Sequence, residues 1–265
     1  MKSLHQFEYE YYENRNDIPE EFLKELKMRD VELEGKSILD LGAGPGFLSK
    51  MLSDEGAIVD ALEPSETFIE LGKEYNEGKN VTFIQGVAEN IPLKKKTYDI
   101  IIAVRAWQYF DSGQVMKEVV RLLKPGGFLI IADIGFRVNN KMMKETMKII
   151  RDSAKGERLD PAGSKKYSIQ MINGFPVEWF SEWNFEKFDL RELFKKDYRL
   201  KFTDEEWTKR IETSSWLSRH SDKRKEEVGE RLSEMLKDID RDKRHKVPHV
   251  LSVVILKNKN KDKEK

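Results

Sequence analysis

The strongest constraint on the fold is an alternation between residues 37 and 133. Short aliphatic and β-branched runs stand at 37–41, 58–62, 81–85, 100–104 and 128–132, and helix-like segments lie between them at 47–53, 66–75 and 114–123. Mainly apolar runs of this length suit strands covered on both faces, while apolar residues at helical spacing suit the covering helices. Phe47, Leu48, Met51 and Leu52 share one such helical face. Strands that alternate with helices in this way build a parallel sheet between helical layers. Pro125-Gly126-Gly127 is expected to stop the third helical segment and turn the chain into the fifth strand.

Beyond Asp133 the pattern changes to long, charged, aromatic-dotted helices around 141–154, 203–219 and 223–239, with a loop at 156–174. Residues 185–194 alternate loosely enough for a sixth strand, and 250–256 read as a seventh. The segment between the fifth and last strands is therefore an insertion, expected to cover the top of the sheet.

Composition removes several functions. The 265 residues carry 48 basic and 48 acidic side chains, so no net field attracts a polyanion, and nucleic acid is not the expected substrate. The absence of cysteine excludes disulfides, thiolate metal sites, iron–sulfur clusters and cysteine nucleophiles. His5, His220 and His245 form no spaced metal set with acids, and Lys94-Lys95-Lys96 reads as a solvated face. The first residues lack an apolar stretch of signal-peptide length, and the longest aliphatic run, 100–104, is far short of a membrane span. A cytoplasmic protein without metal or membrane partner, monomeric or homodimeric, is expected.

The chemistry is carried by Ile38-Leu39-Asp40-Leu41-Gly42-Ala43-Gly44-Pro45-Gly46, which follows a strand and opens a helix. Its glycines let a ligand approach the backbone. A dinucleotide fingerprint counted from Gly42 places its last small residue on Phe47, which is too bulky. An acid two residues before G-x-G-x-G, here Asp40, suits instead a ligand with a cationic amino-acid end and no phosphate.

On these residues the chain resembles the class I S-adenosylmethionine (SAM)-dependent methyltransferases, in particular the small-molecule type 11 branch that includes relatives of trans-aconitate methyltransferase. The resemblance covers about 37–133 and adds Tyr98-Asp99-Ile100-Ile101-Ile102 and Leu122-Leu123-Lys124-Pro125-Gly126-Gly127. It implies an α/β, Rossmann-like, seven-stranded and mainly parallel sheet with helices on both faces and a helical cap insertion before the last strands. The implied organisation is a helical lid segment at 1–34, a SAM-binding core at 35–136, a mainly helical substrate cap at 137–245, a final core strand at 246–257 and a disordered tail at 258–265.

The resemblance also implies site residues. Asp40, Gly42, Ala43, Gly44 and Gly46 form the cofactor loop, and Glu63, followed by Pro64, matches the acid that binds the ribose hydroxyls. Ala88 and Glu89 fall in the adenine segment, where Val87 replaces the usual Asp. Arg105-Ala106-Trp107-Gln108-Tyr109-Phe110-Asp111 follows the fourth strand, near the expected sulfonium methyl. Gln108 stands where relatives often have His, the most obvious general base, which favours a carboxylate or neutral-amine acceptor that needs none. Trp107 and Tyr109 are candidates for an aromatic wall beside a cation. Tyr12 and Arg15 match a segment that closes over SAM, with Arg15 facing its carboxylate, and His249 at the start of the last strand is a further pocket candidate. The aromatic residues Phe7, Tyr9, Tyr11, Trp179, Phe180, Trp183, Phe185, Trp207 and Trp216 serve either as a core or as a lid around an apolar acceptor.

The expected activity is methyl transfer from SAM, releasing S-adenosylhomocysteine (SAH), to an N, O or carboxylate acceptor on a small molecule or peptide-like natural product. A SAM- or SAH-binding module without catalysis is one alternative. A nicotinamide-dependent oxidoreductase is another, opposed by Phe47 and by the lack of a Tyr-x-x-x-Lys set after the fifth strand.

Overall fold

The computed structural model describes residues 17–94, 97–154, 156, 163–183, 187–214, 217, 221–239 and 244–259. Tyr12, Arg15, Phe185, Trp216, His5 and His220 lie outside them. The chain divides into two compact units, one of 18–134, 167–196 and 251–265, the other of 1–17, 135–166 and 197–250.

The first of these contains α1 (Glu21–Lys27), β1 (Ser37–Leu41), α2 (Phe47–Asp54), β2 (Ile58–Glu63), α3 (Glu66–Tyr75), β3 (Val81–Gln85), β4 (Tyr98–Val104) and α4 (Ser112–Leu122). Three longer strands, β5 (Leu123–Phe136), β8 (Phe188–Phe202) and β9 (His245–Asn258), complete a seven-stranded sheet of order β3-β2-β1-β4-β5-β9-β8. The five expected strands are present. Those from β1 to β5 pair in parallel, with Asp40 beside Ala61 and Ile102, Glu63 beside Gln85, and Val104 beside Ala132. The strand order reverses at β1 and β4, which opens a crevice at their carboxyl ends. At the end of β9, Asn258 Nδ2 donates to the Lys124 carbonyl near the start of β5, so β9 runs antiparallel to it.

Burial explains the apolar runs: Ile38, Leu39, Leu41 and Ile100 through Ala103 are essentially inaccessible. On α4 the buried residues are Val115, Met116, Val119 and Leu122, one stripe at helical spacing, and its first turn is capped by Asp111, which accepts from the Gln114 N–H. Trp179, Trp183, Phe175 and Phe188 join the same core, so these aromatic side chains pack inside the unit.

Several boundaries differ from expectation, and β9 is among them, starting at His245 rather than at 250 and running to Asn258, the first residue of the expected tail. β5 begins at Leu123, and Lys124 to Gly127 form a bulge where Tyr98 pairs with Leu123 but Ile100 pairs with Phe128. β8 runs to Phe202, well past 194; as the edge strand it alternates polar and half-buried residues, a pattern much weaker than an apolar run. Within the expected loop a small hairpin forms between β6 (Met171–Ile172) and β7 (Phe175–Pro176), turned by Asn173 and Gly174 at φ 48° and 92°, ahead of α6 (Val177–Glu182). Asn-Gly is the signal that reveals such a turn.

The other unit packs α5 (Lys141–Ser153), α7 (Asp204–Glu212) and α8 (Asp222–Ile239) around Met143, Ile150, Trp207, Ile211, Val228 and Leu232. The helix expected over 203–219 is shorter: Thr203 and Glu206 cap its start reciprocally, and α7 stops at Glu212. Arg210 and Asp17 form an ion pair with both side chains nearly inaccessible, and the guanidinium lies 4.9 Å from the Phe136 ring centroid. Replacing Arg210 with Ala leaves a buried carboxylate without its cation and is expected to cost about 3–5 kcal/mol in urea unfolding. The double change Asp17→Asn with Arg210→Met is expected to cost less than Arg210→Ala alone.

Candidate functional site

The loop between β1 and α2 bends at three glycines with positive φ, Gly42 at 68°, Gly44 at 56° and Gly46 at 76°. Gly42 and Gly46 are fixed by crowding as well. A Cβ on Gly42 would lie 2.8 Å from Ala106 Cβ, and one on Gly46 would lie 2.7 Å from the Phe83 ring. Gly44 differs, because no atom stands within 4 Å of the position its Cβ would take. The loop therefore presents open backbone at its middle and is clamped at both ends.

Two carboxylates set its shape. Glu63, at the end of β2, accepts the Gly44 N–H at 2.9 Å and the Ser65 N–H at 3.0 Å, one on each oxygen. Asp40 is buried at the end of β1 and accepts the Ser49 hydroxyl at 2.7 Å. Among the described residues no cation pairs with it. Burial pushes the Asp40 carboxyl up to about 7, the Ser49 hydrogen bond pulls it down, and the charge of Glu63 raises it. A buried carboxylate in this state favours a cationic ligand group, which would stabilise its ionised form.

After β4, Arg105 adopts a left-handed backbone with φ 56°, a conformation that costs a non-glycine residue about 1–2 kcal/mol. Two contacts hold it there: its N–H donates to the Ala132 carbonyl at 2.9 Å, and its carbonyl accepts the Gln108 side-chain amide at 2.7 Å. Ala106 then lies against Gly42. The two aromatic wall candidates separate: Trp107 is 2% exposed, in the core and edge-on to Phe110, whereas Tyr109 is 62% exposed. Gln108 is buried and engaged with the backbone, so it braces Arg105. Ala88 is buried, Pro64 exposed, and Glu89 accepts the Asp111 N–H at 2.9 Å, tying the loop after β3 to the start of α4.

His249 belongs to the other unit. It is inaccessible, its Nδ1 lies 2.9 Å from the Val247 carbonyl, and its ring stacks on Tyr198 and meets Phe136 edge-on. Ser49 escaped the sequence reading because it sits among apolar residues on the buried face of α2; a lone polar residue there, nine positions after a strand-end acid, was the available signal. Among the described residues no helix is long and apolar enough to cross a membrane, and no group of three His, Cys, Asp or Glu could hold a metal.

Residues 39–131 match a family described as "Methyltransferase domain", of type 11. A malonyl-[acyl-carrier protein] O-methyltransferase of Halalkalibacterium halodurans is 34% identical over 120 residues, which cover 43% of this chain and 44% of that one. A ubiquinone biosynthesis O-methyltransferase of Coxiella burnetii is 29% identical over 143 residues, 53% of this chain and 59% of that one. The matched segments thus span about half the length of these curated relatives. The fold is also that of a candidate type II methyltransferase from Anaeromyxobacter dehalogenans, with a TM-score of 0.63 at 18% identity over 91% of this chain and 95% of that one.

The state of Asp40 gives a stability signature. Its folded value of about 7 lies above the value of about 3.9 for an unfolded chain, so between these the folded protein holds more protons. Stability from this group therefore falls as pH rises from about 4 to 7 and levels off above. Asp40→Asn is expected to remove that slope, gaining on the order of 2–4 kcal/mol relative to wild type between pH 4 and 8 in denaturant unfolding.

Proposed function

We propose, from the premise that the chain carries a class I SAM-dependent methyltransferase domain, that the protein transfers the methyl group of SAM to an acceptor on a small molecule or peptide-like natural product. The observation that carries this is the buried Asp40 carboxylate without a cationic partner among the described residues, beside a glycine loop whose open face is at Gly44. That arrangement fits an amino-acid end bearing an ammonium. Glu63, fixed at the end of β2 by two backbone donors, is assigned to the two ribose hydroxyls, which a carboxylate can accept together. Ala88 and Glu89 would flank the base, with Pro64, Arg105 and Ala106 completing the cofactor's surroundings. Phe47, buried edge-on to Tyr75 at 5.3 Å, fills the place where a dinucleotide loop needs a small residue.

SAM supplies a methyl group already activated on a positive sulfur, so the protein's task is alignment and exclusion of water. Asp40, held by Ser49 where β1 leads into the glycine loop, and Glu63, which accepts the Gly44 N–H, would hold the cofactor's polar part in register. The braced left-handed turn at Arg105 places Ala106 under Gly42 and keeps the post-β4 segment at the loop. Gln108 carries no basic group, and its amide donates to the Arg105 carbonyl, so it braces the turn and is not a general base. An acceptor that is nucleophilic in its own right, a carboxylate or neutral amine, suits such a site. The names of the relatives, both O-methyltransferases, favour oxygen, and hence a carboxylate. Tyr109, 62% exposed, is the aromatic residue of this segment assigned to the substrate side.

Calorimetric titration with SAM, SAH and NAD tests the cofactor. SAM and SAH are expected to bind, with Asp40→Ala weakening them at least tenfold and Gly44→Ala abolishing the approach to the backbone at a stability cost of only about 1–2 kcal/mol. NAD binding without SAM binding would overturn the reading. A screen for SAH release across carboxylates, amines and phenols tests the acceptor, and silence across it with SAM bound would favour the non-catalytic module.

A further inference from the structure

The face of α2 that packs into the sheet is Phe47, Leu48, Ser49 and Leu52, and Ser49 is inaccessible to solvent. A hydroxyl in an apolar helix face costs free energy unless it is hydrogen-bonded, and serine within a helix commonly satisfies itself on the carbonyl four residues back. Here the hydroxyl instead reaches across to Oδ2 of Asp40 on β1 at 2.7 Å. Asp40 in turn is a buried acid whose ionised form has this hydroxyl as a side-chain donor and no cation among the described residues.

Resting on the SAM reading above, we propose that Ser49 is a positioning residue of the cofactor site, holding the Asp40 carboxylate ionised and oriented for the ammonium of the methyl donor. The elements around Asp40 leave this hydroxyl the controlling neighbour. β2 places Ala61 beside it and, at its end, Glu63, whose negative charge opposes ionisation; β4 places Ile102 beside it. Lys50 of α2 is directed over the Tyr75 ring, and among the described residues no cation pairs with Asp40. Burial and Glu63 favour the protonated acid, and Ser49 is the group that works against both. Because a protonated Asp40 cannot neutralise an ammonium, cofactor affinity is tied to the proton on this carboxyl.

The test is SAH binding by calorimetry from pH 5.5 to 8.5 for the wild type, Ser49→Ala and Ser49→Thr, with melting temperatures in parallel. Wild-type affinity is expected to fall as pH drops below about 7. In Ser49→Ala the midpoint of that fall is expected to move up by half a pH unit or more, which weakens binding about threefold or more at pH 6.5 while leaving it within about twofold at pH 8.5. Ser49→Thr retains the hydroxyl and is expected to keep the wild-type midpoint. A Ser49→Ala profile that overlays the wild type, or one displaced equally at every pH, overturns the role of Ser49, as does a Thr variant that matches the Ala variant. A wild-type protein that binds neither SAM nor SAH at any pH overturns the cofactor reading itself.

Discussion

The site depends on the parallel seating of β1 between β2 and β4. That register puts Asp40, Glu63 and the turn at Arg105 on one edge of the sheet, because all three strands point the same way and end together. A parallel sheet covered on both faces leaves its carboxyl edge as the place where backbone and polar side chains meet a ligand, and the reversal of strand order at β1 and β4 makes that edge a crevice.

Polar groups here are arranged in pairs that hold the loop before any ligand arrives. Glu63 uses one oxygen on Gly44 and the other on Ser65, so the end of β2 grips both the glycine loop and the first turn of α3. Gln108 spends its amide on Arg105, and Glu89 spends a carboxylate oxygen on Asp111. Such commitments lower the ordering cost that a flexible site would meet on binding. Asp40 stands apart, since its burial works against its own charge and, among the described residues, Ser49 is what offsets this.

The sheet was legible because parallel, doubly covered strands are written as apolar runs, and because Gly42, Gly44 and Gly46 announce a left-handed bend whatever surrounds them. Edge strand β8 was only half legible, as one face meets solvent and its charged residues dilute the pattern. The turn at Asn173-Gly174 carried a readable signal that a polar loop concealed. Trp107 could be read equally as a wall or as core, and only packing against Phe110 and the α4 stripe places it inside.

By itself the sequence determined the order of strands and helices, the glycine loop and the acids at the ends of β1 and β2, since each follows from residue type at short spacing. Tertiary structure decided which partner each polar group takes. The Ser49 hydroxyl could have bonded its own helix, Gln108 could have faced a substrate, and Trp107 and Tyr109 could have lain side by side. Those choices depend on which surfaces meet across distant segments of chain, and local pattern carries no record of that.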